Sequence, residues 1–316
     1  MTISSTSSKL SIPDIDGFEH HFKTVNRVNL HYMIGGNLSG KPILLWHGFL
    51  GTSQSWKKVM LLLAEAGYAV LVPDMRGYGD SEKPEGIEGY DAQNLSKDFR
   101  DLVKLINFGD GRQITLVAHD MGAAPALLWC ADFPQEVKSL LYMEMVVMLD
   151  EILQSHLAFK REVIESALGT MWWWILPHAN EALELFFVDK EREFLNWFYH
   201  RTTADKKAIG KEEIDEVLRT FSGREGVNGA FGIYRAVFKS IEQTEPLSKD
   251  KISVPVVAVG GAHSLGEYVG QMVSMVGSNV ETVVIQGAGH FLVEEKPAEV
   301  FELISRASGI NYTLTM

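Results

Sequence analysis

Residues 116–124 carry the stretch that decides the fold, Leu-Val-Ala-His-Asp-Met-Gly-Ala-Ala. The apolar run 114–118 predicts a buried strand, and the small and apolar residues 123–130 predict a helix. A sharp turn between them would place Asp120 at the carboxyl edge of a sheet, where the helix N-terminus stabilises negative charge. Two interpretations of Asp120 are open at this point: a reactive carboxylate, or an ordinary helix N-cap.

A carboxylate in this position does not suit peptide or ester hydrolysis in the manner of a serine nucleophile. It suits displacement at carbon, in which attack on an epoxide or a carbon–halogen bond gives an ester bound to the enzyme. Motifs elsewhere in the chain are needed to distinguish a reactive carboxylate from a helix N-cap at Asp120.

Composition limits the class of protein. The chain has 316 residues, of which 46% are hydrophobic and 22% charged, and a net charge of −12. These values are ordinary for a packed protein, and the negative charge argues against nucleic acid or an anionic membrane as a partner. The single cysteine, Cys130, is expected to be a small core residue. Residues 1–11 lack the apolar core of a signal peptide, and no run of about 18 apolar residues occurs, so a cytoplasmic enzyme is expected.

Three further motifs each follow an apolar run that predicts a buried strand: H-G at 47–48, D-x-R-G-x-G-x-S at 74–81 and G-x-G-H at 287–290. In the second motif, an ion pair between Asp74 and Arg76 is expected to tie the loop. Alternating residues on both sides of Asn26-Arg27 predict an opening β-hairpin. Strands that alternate with helices predict an α/β fold, with a mainly parallel sheet covered by helices on both faces.

The pattern changes between residues 146 and 245, where strand signals vanish and aromatic-rich helical segments appear. Helices inserted between two strands predict a cap domain. The predicted organisation is a flexible N-terminus at 1–16, a core domain at 17–145 and 247–310, and a helical cap domain at 146–246. Apolar helices on the cap would also suit a homodimer, which stays open.

The four motifs together resemble those of the α/β-hydrolases, in which G-x-S-x-G forms a nucleophile elbow. Within that superfamily they resemble the branch with an Asp nucleophile: epoxide hydrolases, haloalkane dehalogenases and fluoroacetate dehalogenases. The resemblance implies the α/β-hydrolase fold, Asp120 as nucleophile and His290 as the base that activates water. It also implies an oxyanion hole built from the backbone N–H groups of Phe49 and Met121.

The third catalytic residue departs from the commonest pattern of the superfamily. The usual acid follows the second-last strand, where this chain has His263 and Ser264, and neither is acidic. Some dehalogenases and one branch of epoxide hydrolases carry the acid after the strand that follows the nucleophile, where this chain has Glu144. Burying that carboxylate is costly without a partner, and His290 would supply one. Glu267 is the second candidate.

An epoxide needs hydrogen-bond donors that hold the ring oxygen as it becomes an alkoxide. Epoxide hydrolases generally use two cap residues, commonly two tyrosines. Tyr234 precedes an arginine, as in the second cap motif of the family. The first donor position offers three consecutive tryptophans, of which Trp172 and Trp173 are favoured, with His178 nearby. An indole N–H can hydrogen-bond to an alkoxide but cannot protonate it.

The resemblance therefore predicts an epoxide hydrolase that opens a bulky, apolar small-molecule epoxide to a vicinal diol, without cofactor or metal. The histidines show no ligand-like spacing. A dehalogenase is the second hypothesis, since indole groups also bind halide. However, Met121 stands where haloalkane dehalogenases usually carry Trp, and residues 121–124 lack the arginines of fluoroacetate dehalogenases. A non-catalytic receptor of the same fold is the third hypothesis.

Overall fold

The computed structural model describes residues 11–165, 171–179 and 181–309. Within them, eight strands form one sheet: β1 (Phe18–Val25), β2 (Val28–Gly36), β3 (Pro42–Trp46), β4 (Ala69–Pro73), β5 (Ile114–His119), β6 (Val137–Met143), β7 (Val256–Gly261) and β8 (Val280–Ile285). Their spatial order is β1-β2-β4-β3-β5-β6-β7-β8. Strands β1 and β2 are antiparallel, and all pairs from β4 to β8 are parallel. The predicted α/β architecture is confirmed.

The opening hairpin turns at Asn26 and Arg27, which both have positive φ angles, 50° and 68°. A two-residue turn between twisted strands requires this left-handed backbone. At the centre of the sheet, every residue of β3, β4 and β5 is buried. Such burial is expected for parallel strands that are covered on both faces.

The helices of the described residues are α1 (Lys57–Glu65), α2 (Ala92–Leu105), α3 (Ala123–Asp132), α4 (Asp150–Leu157), α5 (Arg161–Ile164), α6 (Ala182–Phe187), α7 (Glu191–Thr202), α8 (Lys211–Phe221), α9 (Gly223–Ala230), α10 (Gly232–Arg235), α11 (Val237–Thr244), α12 (Tyr268–Val276), α13 (Leu292–Glu295) and α14 (Pro297–Ala307). Short 3₁₀ turns span Ser53–Trp56, Asp120–Gly122, Pro134–Glu136, Trp172–Trp174, Leu176–His178 and Glu245–Ser248. None of these helices is both long and apolar enough to cross a bilayer.

The core lies on both faces of the sheet, because side chains alternate along each strand. In β3, Ile43 and Leu45 face a cluster that includes residues of α1 and α14. Leu44 and Trp46 face the opposite cluster, which includes residues of α2 and α3. Cys130 is buried there, as its apolar surroundings predict. The sheet thus lies between two layers of helices.

Helices α4 to α11 lie in the sequence between β6 and β7. They contact the core loops through buried polar groups. The Tyr199 hydroxyl donates to the Leu50 carbonyl at 2.6 Å, and Arg219 forms an ion pair with Asp80. The division of the chain into a core domain and a cap domain stays a prediction.

The ion pair predicted between Asp74 and Arg76 in the loop after β4 is not formed. Arg76 does not pair with Asp74; its guanidinium binds both oxygens of Asp98 on α2, at 2.7 and 2.8 Å. Asp74 accepts hydrogen bonds from the His31 ring at 2.7 Å and from the Ser53 N–H at 2.6 Å. The planar guanidinium favours a bidentate partner, and only the tertiary fold brings Asp98 to that position.

Part of the segment predicted to be a flexible N-terminus contacts the core. Residues 1–10 lie outside the described residues, so for them the prediction of flexibility is not tested. In the described part, Ile15 is only 3% exposed and belongs to the core cluster that contains α1. The Pro13 carbonyl accepts a hydrogen bond from the Gln54 side chain at 2.7 Å. The segment is therefore anchored before β1, because it carries one apolar side chain that the core buries.

Candidate active site

Asp120 lies in the sharp turn between β5 and α3, at the carboxyl edge of the sheet. Its φ angle of 50° is in the left-handed region, which Asp tolerates better than most residues. Gly48 permits this turn, since a Cβ there would lie 2.4 Å from the Cβ of Asp120. The turn therefore needs the glycine of the H-G motif as well as its own residues.

Asp120 is 9% exposed as a residue, and its carboxylate has two partners. Its Oδ1 accepts the Phe49 N–H at 2.7 Å, and its Oδ2 lies 3.4 Å from the His290 Nε2. Burial alone would raise the pKa of Asp120, but the hydrogen bond and the charge of His290 outweigh it and lower the pKa. Asp120 is thus an anion at neutral pH. The second predicted oxyanion donor, the Met121 N–H, directly follows it and stays a prediction.

Glu144 holds the other side of the His290 ring. Its Oε2 lies 3.1 Å from the His290 Nδ1, and it is buried just after β6. Its Oε1 accepts the N–H groups of Gly261 at 2.7 Å and Leu265 at 3.2 Å. The loop that carries the usual acid of the superfamily therefore supplies backbone donors to Glu144 instead. Glu267, the second candidate, is exposed and does not line the cavity over Asp120.

The His290 imidazole lies between two carboxylates. Burial would lower its pKa, but the hydrogen bonds and charges of Asp120 and Glu144 outweigh this and raise the pKa to about 10. The ring is therefore a cation in the resting site at neutral pH. Loss of the negative charge on Asp120 would remove the largest raising effect, so the proton affinity of His290 depends on the state of Asp120.

His119 supports the site, and sequence reasoning assigned it no role. Its Nε2–H donates to the His290 carbonyl at 2.8 Å, and the two ring centroids lie 4.9 Å apart. Burial, followed by the charge of His290, lowers the pKa of His119 to about 4. A neutral ring can then donate one hydrogen bond without adding charge. Its place directly before Asp120, the predicted nucleophile, was the signal available in the sequence.

A small cavity of about 40 Å³ lies over Asp120. Side chains from the core and from the helical insertion line it: Phe49, Asp120, Glu144, Met145, Val146, Met171, Trp173, Trp174, Phe198, Thr202, Tyr234, Leu265 and His290. Among the described residues, no lysine or arginine lines it. Typical ligand pockets hold roughly 300–1,000 Å³. The bulky substrate predicted from the sequence does not fit this space without movement of its walls.

The tryptophan run differs from the prediction in one residue. Trp173 lines the cavity as predicted, but Trp172 does not, and Trp174 takes its place. The Trp172 ring packs instead against Phe187, 6.3 Å away, and Trp197, 6.0 Å away. In a 3₁₀ turn, successive side chains point about 120° apart. Three consecutive rings therefore cannot share one face. Trp172 packs with Phe187 and Trp197 instead of lining the cavity.

Tyr234 is buried in the wall of the cavity that the insertion provides. Its ring packs edge-on against Phe49, 4.9 Å away, and Trp174, 5.2 Å away. Burial and then the charge of Asp120 raise the pKa of Tyr234, and a hydrogen bond from the Trp173 indole opposes this. An indole is a donor only, so it leaves the tyrosine proton free to point elsewhere. His178 does not line the cavity; it hydrogen-bonds the Tyr234 backbone.

Metal-ligand atoms come together at one place in the described ranges. One nitrogen or oxygen from each of His31, Asp74 and Asp80 lies within 4.8 Å of the others. These atoms already bind one another or their neighbours: His31 binds Asp74, and Asp80 pairs with Arg219. The group belongs to the network that ties the loop after β4, and the absence of a metal from the chemistry stays a prediction.

A buried carboxyl group near the catalytic loop gives a pH-dependent prediction. The Oε2 of Glu294 is buried without a hydrogen-bond partner among the described residues. Burial raises the pKa of Glu294 from 4.5 to about 8. The folded state therefore binds a proton that the unfolded state releases, and stability falls as the pH rises from about 4.5 to about 8.

We expect Glu294→Gln to match the wild type in stability at pH 4.5 and to exceed it at pH 9. The free energy of unfolding at pH 9 should rise by about 2 kcal/mol. Each unit of pKa shift corresponds to about 1.4 kcal/mol, and the partial exposure of the side chain to solvent reduces the total. Urea unfolding at both pH values measures it. Glu299→Gln, at an exposed position of α14, is the matched control. Equal differences at both pH values would contradict the prediction.

Comparison with known proteins agrees with this geometry. The family model described as the alpha/beta hydrolase fold matches residues 41–297. A soluble epoxide hydrolase from Corynebacterium sp. (strain C12) is 28% identical, over 90% of this chain and 94% of its own length. A fluoroacetate dehalogenase from Burkholderia sp. is 34% identical, over 70% of both chains. A solved structure described as the epoxide hydrolase CorEH without ligand has a TM-score of 0.80 at 26% identity, over 92% of this chain and 98% of its own.

These matches confirm the predicted class of enzyme, a hydrolase, and the resemblance on which the prediction rested. The family match covers most of the described sheet, from just before β3 to the start of α14, and includes all four motifs. The chain therefore belongs to the alpha/beta hydrolase fold family.

Proposed function

We propose that this chain is an epoxide hydrolase that opens an uncharged, apolar epoxide through an ester on Asp120. The observation that carries the proposal is the arrangement of three groups: a carboxylate at the elbow, within 3.4 Å of His290, which in turn lies 3.1 Å from Glu144. Relatives named epoxide hydrolases support it. So does the apolar lining, because a carboxylate substrate would find no lysine or arginine on the described cavity wall.

In the first step, an Asp120 oxygen attacks one ring carbon and the carbon–oxygen bond of the epoxide breaks. The ring oxygen becomes an alkoxide and takes a proton from an acidic side chain. Tyr234 is the proposed donor, with its hydroxyl oriented by the Trp173 indole. The charge on Asp120 helps to raise the pKa of Tyr234. Ester formation removes that charge, so the tyrosine becomes a better acid as the alkoxide appears.

In the second step, His290 takes a proton from water, and the resulting hydroxide attacks the carbonyl carbon of the ester. The loss of charge on Asp120 lowers the pKa of His290 from about 10, so the ring can pass its first proton to the Tyr234 phenolate left by the first step and then act as a base. Glu144 holds the ring and its tautomer. The Phe49 N–H stabilises the tetrahedral oxyanion, with the Met121 N–H as second donor. The bond from the carbonyl carbon to the substrate oxygen then breaks, the leaving alkoxide takes the proton that His290 holds, and the Asp120 carboxyl group returns its proton to the imidazole. The products are a vicinal diol and the resting pair of Asp120 anion and protonated His290.

The helical insertion is proposed to act as a cap domain at residues 146–246. It supplies Trp173, Phe198 and Tyr234 to the cavity wall, opposite the core residues. Because the space enclosed is small, substrate entry requires these helices or their side chains to move. A homodimer through the cap stays a prediction.

Tyr234→Phe should lower epoxide turnover by about 10- to 100-fold, since it removes one hydrogen bond to the developing alkoxide. Stopped-flow measurement of ester formation would assign the loss to the first step. Tyr142→Phe is the matched control: that buried hydroxyl donates to the Val146 carbonyl at 3.1 Å and does not line the cavity. If Tyr234→Phe retained full activity, Tyr234 would not be the donor.

The proposed function is tested by turnover of small and bulky epoxides, haloalkanes and fluoroacetate. Diol production without halide release supports the proposal, whereas halide release without epoxide turnover favours a dehalogenase. Binding without turnover of any substrate favours a receptor. A single turnover in water labelled with heavy oxygen, with enzyme in excess, tests the route. The ester route gives unlabelled diol and labelled Asp120, whereas direct attack by water gives labelled diol at once.

A further inference from the structure

Glu295, at the end of α13, connects two loops beside the candidate site. Its carboxylate is buried, with the residue 9% exposed. It accepts the N–H groups of Gly289, at 3.0 and 3.1 Å, and Phe291, at 3.2 Å. It also accepts those of Ala204, at 2.7 Å, and Asp205, at 3.0 Å. One carboxylate thus holds four backbone donors from two separate segments.

The two segments come from different parts of the chain, one from the loop after β8 and the other from the helical insertion. Gly289 and Phe291 flank His290 in the loop after β8. Ala204 and Asp205 follow α7, whose Thr202 lines the cavity. The His290 N–H donates to the Thr202 carbonyl at 2.8 Å. The loops are so close that a Cβ on Gly289 would lie 2.4 Å from that carbonyl oxygen.

Hydrogen bonds from N–H groups to a carboxylate are stronger than those between neutral groups. A buried donor that loses its partner bears the full cost of desolvation. Removing the charge of Glu295, or one of its two acceptor oxygens, would therefore free the loop on both sides of His290. The position of the imidazole relative to Asp120 and Glu144 would then be less well fixed.

We propose that Glu295 is a positioning residue that fixes His290 for the attack of water on the ester. This inference rests on the proposed function, because it assigns Glu295 to the second step. The first step depends on Asp120, which the Phe49 N–H holds independently of this loop. A displaced His290 keeps its positive charge, so it still favours the Asp120 anion. Glu295 should therefore affect the two steps unequally.

The test compares Glu295→Gln with Glu294→Gln at pH 7. The control is adjacent in the chain, and its carboxyl group is largely protonated at that pH, since its pKa is about 8. Rapid-quench kinetics with an epoxide should show ester hydrolysis slowed by about 10- to 100-fold in Glu295→Gln, as expected for a displaced catalytic group. Ester formation should change by less than about threefold, so the ester should accumulate. Glu294→Gln should resemble the wild type.

Hydrogen exchange gives a readout that does not depend on the substrate. Amide exchange in segments 287–292 and 203–206 should be faster in Glu295→Gln and unchanged in Glu294→Gln. Glu295→Asp keeps the charge and both oxygens, so it should recover part of the ester hydrolysis and remains informative if the Gln variant does not fold. Equal slowing of both steps would show a merely structural role and overturn the inference, as would unchanged exchange. Absence of ester and diol in the wild type would instead overturn the proposed function.

Discussion

Asp120→Asn is expected to abolish epoxide turnover, with a fall of about 10⁴-fold or more, as for removal of other catalytic nucleophiles. The amide has the size of the carboxylate but is a far weaker nucleophile. Asn also tolerates the left-handed backbone at this position, so the variant should fold. Steady-state diol formation measures the effect, and intact-protein mass spectrometry should find no adduct.

Asp120→Asn should also change the pKa of His290, which gives a second measurement on the same variant. Asp120 is the leading cause of the raised pKa of His290. In Asp120→Asn, the pKa of the imidazole should fall from about 10 towards its ordinary value of 6.5, as NMR titration of the ring would show. Asp132→Asn is the control, since Asp132 is exposed at the other end of α3. Full turnover in Asp120→Asn would remove Asp120 from the mechanism.

His290→Gln is expected to trap the ester. The amide can keep a hydrogen bond to Glu144 but cannot take a proton from water, so the second step should slow by about 10³-fold or more. One equivalent of epoxide should be consumed in a burst. The peptide that contains Asp120 should gain the mass of the epoxide.

The conditions of that experiment follow from the electrostatics. His290 is the main cause that lowers the pKa of Asp120, so the variant should be assayed at pH 8 to keep the nucleophile ionised. The double variant Asp120→Asn/His290→Gln is the control and should form no adduct. An adduct on another residue, or rapid turnover without a burst, would contradict the assignment of the two roles.

The sequence predicted the parts of the site that follow strand ends. Asp120 and Glu144 directly follow β5 and β6, and His290 lies in the loop after β8. Parallel strands bring their carboxyl ends to one edge of a sheet. Their proximity therefore follows from topology alone. The position of Glu144 was also deducible because a lone carboxylate at the end of a buried strand needs a partner.

Other features depend on packing that leaves no periodic signal in the sequence. The choice of Trp174 over Trp172 is set by the ring cluster around Phe187 and Trp197. The partner of Arg76 lies 22 residues away on α2. The contacts of Glu295 are all to backbone N–H groups, which every residue except proline possesses. No side-chain pattern marks such partners in advance.

The backbone of both acids has a consequence for laboratory evolution. Asp120 and Glu144 have φ angles of 50° and 48°, a conformation that costs a non-glycine residue about 1–3 kcal/mol. A library screened only for heat resistance should therefore enrich glycine or asparagine at these two positions, at the expense of the chemistry. Selection that retains both acids must find its stabilising changes elsewhere. Under the proposed function, the wild-type chain keeps both acids in a backbone conformation that non-glycine residues disfavour.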